Sequence, residues 1–213
     1  MEVYSVLSLD MEGTLITEEF SRQIWEIDIP RIYSEIKGLT LEDSQEDVFS
    51  QYNEVGDNRP EWYDVDYWFD RLGLPGDRHA LIMSRKNYCI VYPEVPYVLK
   101  RLRSRYPLVV TSNTIREFLE IQLSCFEVGF HRVFSAPSDF GIVKKSPEFY
   151  DKICVALNVE PEELVHVGDH REYDYLAAKD LGIKAYHLDR KWKYKGPDVI
   201  RDLEELEVRL SKS

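Results

Sequence analysis

Short apolar runs rich in β-branched residues recur along the chain, and each stops at a polar or glycine-bearing turn. Val3–Leu9 gives way to Asp10-Met11-Glu12-Gly13-Thr14, Leu108–Thr111 to Ser112-Asn113, and Leu164–Val167 to Gly168-Asp169. Ile183–Leu188 is a fourth such run. Runs of this length bounded by turn residues read as buried strands. Helical patterns lie between the last three. Ile115–Leu123 carries apolar residues at helical spacing, Pro147–Leu157 opens on a proline suited to a first helical turn, and Tyr173–Leu181 stops at Gly182. The tail Val199–Leu210 reads as an amphipathic surface helix. Strands alternating with helices predict an α/β fold: a Rossmann-like parallel sheet with helices on both faces.

The stretch from Ile16 to Tyr92 has a different pattern. It is rich in Trp, Tyr, Asp and Glu and has few strand-like runs. Trp25, Ile29, Ile32, Tyr33 and Ile36 fall near helical spacing, as do Trp68, Phe69 and Leu72, with Gly73 and Pro75 ending that segment. Asp57-Asn58-Arg59-Pro60 reads as a turn within it. The pattern divides the chain into a core of residues 1–15 and 93–213 and a small helical domain of residues 16–92. Trp25, Trp62, Tyr63 and Trp68 are read as the core of that small domain rather than as a pocket lining. Arg22 and Arg59 could bind a second anion but are read as solvated.

Composition narrows the function classes. Against 27 Lys and Arg stand 39 Asp and Glu, a formal net charge of -12, which argues against a nucleic-acid or anionic-membrane partner. No apolar run has the length of a membrane span, and the N-terminal run lacks the basic flank of a signal peptide. The expected location is therefore the cytoplasm. Cys89, Cys125 and Cys154 have no metal-binding spacing and read as free thiols.

Candidate chemistry follows from where the strands end. In open parallel sheets, sites form outside the carboxyl ends of the strands. Asp10, Ser112 and Asp169 therefore converge on one crevice despite their separation in sequence. A carboxylate presented on a turn can act as a nucleophile. Carboxylates gathered in one crevice, as Asp10 and Asp169 are on this reading, repel one another unless cations compensate them.

Four segments, in order, resemble the motifs of the haloacid-dehalogenase-like hydrolases. Asp10-Met11-Glu12-Gly13-Thr14 is similar to the first motif and Thr111-Ser112-Asn113 to the second. Lys144-Lys145-Ser146-Pro147 is similar to the third, and Gly168-Asp169-His170-Arg171-Glu172-Tyr173-Asp174 to the fourth. The resemblance implies a phosphatase with a helical cap inserted after the first motif. It implies Asp10 as covalent nucleophile and Glu12 as acid and base; most phosphatases of the family have Asp there, while its enolase-phosphatases share Asp-x-Glu-Gly-Thr. Magnesium would be held by Asp10, the backbone carbonyl of Glu12, and Asp169, with Asp174 an additional acid. Ser112 and Asn113 would bind phosphate, Thr111 being the alternative to Ser112. The family spacing puts the catalytic and phosphate-binding lysine three residues before the helix-starting proline, which selects Lys144 over Lys145, although the usual first proline of that motif is missing.

The expected activity is magnesium-dependent hydrolysis of a small phosphorylated metabolite, a phosphate monoester, through an aspartyl-phosphate. Three alternatives stand beside it: a haloacid dehalogenase, which would need no metal, a phosphotransferase or mutase, and a non-catalytic binding protein with an altered site. The sequence leaves the oligomeric state open.

Overall fold

The computed structural model describes residues 4–211. Six parallel strands form one sheet in the order β3-β2-β1-β4-β5-β6. They are β1 (Val6–Leu9), β2 (Leu108–Ser112), β3 (Arg132–Ser135), β4 (Leu164–Gly168), β5 (Lys184–Leu188) and β6 (Val199–Ile200). Val3, the expected start of the first strand, lies outside the described residues. The central strand β1 is flanked by β2 and β4, with Leu9 opposite Val110 on one side and Val167 on the other. The three polar strand ends therefore meet at one edge of the sheet.

Period-two alternation assigns the two faces of the sheet. Leu7 and Leu9 of β1 pack with Leu108, Val110, Val165 and Val167 against the helices Val95–Arg103 and Leu203–Leu210. Val6, Val109 and Leu164 point to the opposite face, against the helix Pro147–Leu157 and the short helix Ala177–Asp180. On that second face, toward the carboxyl ends, the pattern turns polar. Ser8 Oγ lies 2.9 Å from Thr111 Oγ1 and 2.9 Å from His166 Nδ1, all three fully buried.

Two of the strands were not expected, and one expected helix is shorter. β3 pairs with β2 through Val110↔Val133 and Thr111↔Phe134, but only its last two residues are buried. Val199–Ile200 does not join the tail helix. It adds to the edge of β5, with Ile200 buried, because Asp202 caps the following helix by accepting a hydrogen bond from the Glu205 amide at 2.8 Å. The helix expected from Tyr173 starts at Arg171, and its first part, Arg171–Leu176, is a π turn. Such turns are frequent at functional sites.

Residues between the first and second strands are helical. Glu19–Arg22, the π turn Gln23–Asp28 and Ile29–Lys37 run on directly, followed by Leu41–Val55, Val65–Leu72 and Arg78–Ser84. Thr40, Asp64 and Asp77 cap the last three through their side chains. Their apolar faces build a separate cluster around Phe20, Ile24, Val48, Trp68 and Ile82, which also takes in Phe118 and Ile121 of the helix Arg116–Leu123. The chain enters and leaves this layer side by side: Ile16 bridges Val91 antiparallel, and the Thr17 amide donates to the Ile90 carbonyl at 2.9 Å. No helix among the described residues is long and apolar enough to cross a membrane.

A buried ion pair locks the helical layer. Asp28 is fully buried and accepts from Arg85 through both carboxylate oxygens, at 2.5 and 2.9 Å, and from Arg31 at 2.5 Å. Removing Arg85 would leave the fully buried Asp28 with only the half-exposed Arg31. Arg85→Ala is expected to cost about 3 kcal/mol, a fall in Tm of roughly 6–12 °C for a protein of this size. Thermal unfolding followed by circular dichroism checks this, and a change under about 1 kcal/mol would remove the locking role.

Candidate active site

Asp10 sits at the carboxyl end of β1, its amide bonded to the Val167 carbonyl at 3.0 Å. Gly13 has φ +77°, and a Cβ there would lie 2.4 Å from the Asp169 carboxylate. Only glycine allows the loop after β1 to turn and to approach Asp169 this closely. Gly168 makes the same allowance on β4, where a Cβ would lie 2.2 Å from the Asp174 carboxylate. The result is a cluster in which oxygens of Asp10, Asp169 and Asp174 lie within 4.8 Å of one another.

A lysine neutralises part of this cluster, and it is Lys145. Its Nζ lies 2.5 Å from Asp10 Oδ1, also pairs with Asp174, and donates to the Thr111 carbonyl at 3.3 Å, with the side chain 2% exposed. The structure does not bring Lys144 to the cluster. Lys144 turns the other way, pairs with Asp57 at 2.6 Å, donates to Asn58, and lies over the Tyr173 ring. Asn113, in the loop after β2, is the cause: its Oδ1 accepts from the Lys145 amide at 2.7 Å and fixes the loop so that residue 145 faces inward.

The charges respond to burial and to each other. Burial, reinforced by Asp174, raises the Asp10 carboxyl to about 6 against the opposing pull of Lys145. For Asp174 burial also acts upward, but the Lys145 charge and the hydrogen bond to His166 outweigh it and hold the group below the usual carboxylate range. Burial favours loss of the Lys145 proton, yet Asp10 and Asp174 keep its pKa raised. Asp169 is lifted to about 8 by burial and by the charges of Asp10 and Asp174. Among the described residues no cationic side chain pairs with Asp169. Beneath the cluster, His166 Nε2 lies 3.2 Å from Asp174 Oδ1, and the His170 amide donates to Asp174 Oδ2 at 2.9 Å. The polar strip of Ser8, Thr111 and His166 thus supports Asp174 from below.

Glu12 projects away from the three aspartates. Its Oε1 accepts from Ser21 Oγ at 2.6 Å and from Gln122 Nε2 at 2.5 Å. Burial lifts its carboxyl to about 8, with the Asp10 charge adding and the Ser21 bond opposing. The Glu12 carboxylate lies outside the three-aspartate cluster, so only its backbone could join a cation held there. Ser112 lines the cavity and its Oγ accepts from the Thr114 amide at 3.1 Å, whereas Thr111 turns its hydroxyl beneath the sheet to Ser8.

Donor chemistry decides whether a divalent cation fits. The buried Asp10 and Asp174 and the half-buried Asp169 supply hard oxygen ligands of the kind magnesium takes, and among the described residues Asp169 has no side-chain ion pair. The set fits a magnesium-like ion better than a thiol- or imidazole-preferring metal.

A cavity of about 320 Å³ opens above these groups. Ser112, Asn113 and Thr114 form one side, and Trp25, Trp62, Tyr63, Phe118 and Tyr173 form much of the remainder. Of the four aromatics expected in the core of the helical layer, only Trp68 is fully buried. Trp25, Trp62 and Tyr63 line the cavity instead, because the core position beside them is filled by Tyr52 and Trp68. Tyr52 Oη donates to the Trp25 carbonyl at 3.1 Å, and Trp68 Nε1 donates to the Trp62 carbonyl at 3.0 Å.

Several residues with a part in this geometry gave no signal in the sequence. Ser21 and Gln122 belong to helices whose polar positions read as surface. Arg190, beyond the last predicted strand, braces the loop after β1 by donating to the Gly13 and Thr14 carbonyls at 3.3 and 2.9 Å. It is held in turn by Glu94 at 2.6 Å and by the Tyr92 ring. No spacing rule could have connected it to a turn so far away in sequence.

Comparison with known proteins agrees with this geometry. The family described as haloacid dehalogenase-like hydrolase matches residues 4–182. The GMP/IMP nucleotidase YrfG of Escherichia coli is 24% identical over 178 residues, covering 83% of this chain and 78% of its own. A glyceraldehyde 3-phosphate phosphatase of Pyrococcus furiosus is 26% identical over 226 residues, covering 97% of this chain and 92% of its own. The crystal structure of a HAD phosphatase from Thermococcus onnurineus superposes with a TM-score of 0.79 at 25% identity over 97% of each chain. The three strand-end motifs with the lysine loop beside them, the parallel sheet and the match over most of the sequence have one common source: the chain belongs to the haloacid dehalogenase-like hydrolases.

Proposed function

We propose that this chain hydrolyses small phosphate monoesters, with a magnesium ion bound, through an aspartyl-phosphate on Asp10. The observation that carries the reading is the Asp10 carboxylate, presented at a strand end, paired with a buried lysine and faced by two further acids. The phosphatases and the nucleotidase among its relatives support the same reaction class.

In this reading Asp10 attacks phosphorus, and the bond from phosphorus to the alcohol oxygen breaks. Glu12, held by Ser21 and Gln122, gives its proton to the departing alcohol oxygen. It then takes a proton from the water that attacks the acyl-phosphate, which releases phosphate and restores Asp10. Lys145 keeps Asp10 ionised and balances charge on the phosphoryl oxygens; it takes the role that sequence spacing assigned to Lys144. Ser112, Asn113 and the amides that follow bind phosphoryl oxygens. Asp10, Asp169, Asp174 and the Glu12 carbonyl would hold the cation, which when bound screens the approach of two anions and polarises the phosphoryl group. Residues 16–92 act as a cap over a core of residues 1–15 and 93–213, excluding bulk water from the acyl-phosphate.

Phosphate release from a panel of monoesters tests the reading. Wild-type protein is expected to turn over with magnesium and to lose activity in excess chelator. Asp10→Asn should lower kcat by at least about 1,000-fold. Magnesium-independent release of halide from a 2-haloacid would replace this reading with the dehalogenase one.

The two lysines separate in the same assay. Lys145→Met is expected to lower kcat by about 100-fold or more, since it removes the counter-charge of the nucleophile. Lys144→Ala, which loses an ion pair with the half-exposed Asp57, should change kcat/KM by less than about five-fold and stability by under about 1 kcal/mol. Equal losses in both variants would return the catalytic role to the loop as a whole.

A further inference from the structure

The charge and ring inventory of the cavity bears on what the phosphate is attached to. Among the described residues, no lysine or arginine lines the cavity apart from Lys145, which is already engaged by Asp10 and Asp174. Arg59 pairs with Glu61 and is 58% exposed. A second hollow, about 560 Å³, shares Glu12, Ser21, Trp25 and Trp62 with the first and continues past them to Glu18, Arg22, Glu26 and Asn53; Arg22, the one base on its wall, is already paired with Glu19 at 2.6 Å. An alcohol bearing a carboxylate or a second phosphate would meet acids there and no unpaired base.

Flat apolar surface is what the two hollows do offer. Trp25 stands between Trp62 and Phe118, with ring centroids 6.5 and 5.9 Å away and tilts of 31° and 37°. Tyr63 packs edge-on against Trp62 at 4.9 Å. Across the mouth, Tyr173 lies nearly parallel to His170, 4.1 Å apart at 13°. Trp25 and Trp62 are anchored through their backbone carbonyls by buried Tyr52 and Trp68. Among the described residues neither indole N–H has a hydrogen-bond partner, so each remains able to donate. Rings held rigidly at a cavity wall bind other rings at low entropic cost.

We propose that the alcohol released by this enzyme carries a planar aromatic ring and no second anionic group, as a nucleoside or an aryl alcohol does. The inference rests on the monoesterase reading above and narrows its substrate class. The ring lies against the wall of Trp25 and Trp62, which the buried Phe118 backs, and its uncharged substituents face the acidic hollow. Compact monoesters with a carboxylate are excluded by charge, and ring-free neutral ones lose the stacking surface.

The test compares kcat/KM of the full chain with magnesium for inosine 5′-monophosphate, 4-nitrophenyl phosphate, glyceraldehyde 3-phosphate, O-phosphoserine and 2-phosphoglycolate. At least one ring-bearing ester should exceed all three ring-free ones by about ten-fold or more; the ratio of the first two probes tells a nucleoside from a simple aryl alcohol. Trp62→Ala should reduce that preference by about ten-fold, mainly through KM, and Trp62→Phe should restore most of it. A carboxylate-bearing ester as best substrate, or an equal loss on every ester in Trp62→Ala with none recovered in Trp62→Phe, would overturn the proposal. If no monoester is hydrolysed, the monoesterase reading fails by itself, and binding then decides the ring preference. Calorimetric titration of Asp10→Asn should find inosine 5′-monophosphate bound at least about ten-fold more tightly than 2-phosphoglycolate, and equal or weaker binding counts against it.

Discussion

Placing several acids in a buried crevice is unstable unless positive charge is placed there too, and in this protein the first instalment is Lys145. It is the one lysine or arginine buried among the described residues, and it stands between Asp10 and Asp174. Its charge is divided unevenly. Asp174 also receives His166 and a backbone amide, Asp10 receives the Met11 amide beside the lysine, and among the described residues Asp169 has no side-chain ion pair. The three carboxylates therefore differ in acidity although they share one pocket. Uneven compensation leaves one carboxylate held well below the usual range, one raised modestly and one raised further.

The rest of the architecture serves that cluster. A parallel sheet with β1 at its centre brings the ends of β1, β2 and β4 together without any long-range loop. Gly13 and Gly168 then remove the two Cβ atoms that would collide with Asp169 and Asp174. Below, the buried Ser8, Thr111 and His166 replace aliphatic residues on one face of three neighbouring strands, so that Asp174 is met by hydrogen bonds rather than by hydrocarbon. That substitution gives up apolar burial in the middle of the sheet, an exchange that makes sense only under a charged site.

Much of this was legible in the sequence because strong local signals coincided with it. An apolar run that stops at Asp-x-Glu-Gly-Thr reads as a strand and a turn whatever lies around it. Where the outcome depended on contacts distant in sequence, reading failed. β3 begins with an exposed Arg132 and buries only Phe134 and Ser135, so it lacks the run that marks a central strand. Val199–Ile200 becomes a strand because the edge of β5 is open and Asp202 restarts the helix. Lys144 and Lys145 are chemically equivalent neighbours, and the choice between them is made by Asn113, more than thirty residues earlier. Trp25 and Trp62 were read as core because a wall and a core use the same apolar residues; the π turn Gln23–Asp28 and the partner rings Tyr52 and Trp68 decide the matter.

The antiparallel contact of Ile16 with Val91 has a consequence for how such a chain can change over time. Because entry and exit are paired, the helical layer imposes on the sheet little more than a hairpin would, whatever its length. Arg190, Glu94 and Tyr92 clasp that junction from the side of the sheet. A lineage could therefore lengthen or shorten the layer beyond Ser21, which holds Glu12, while the ends of the strands stay as they are.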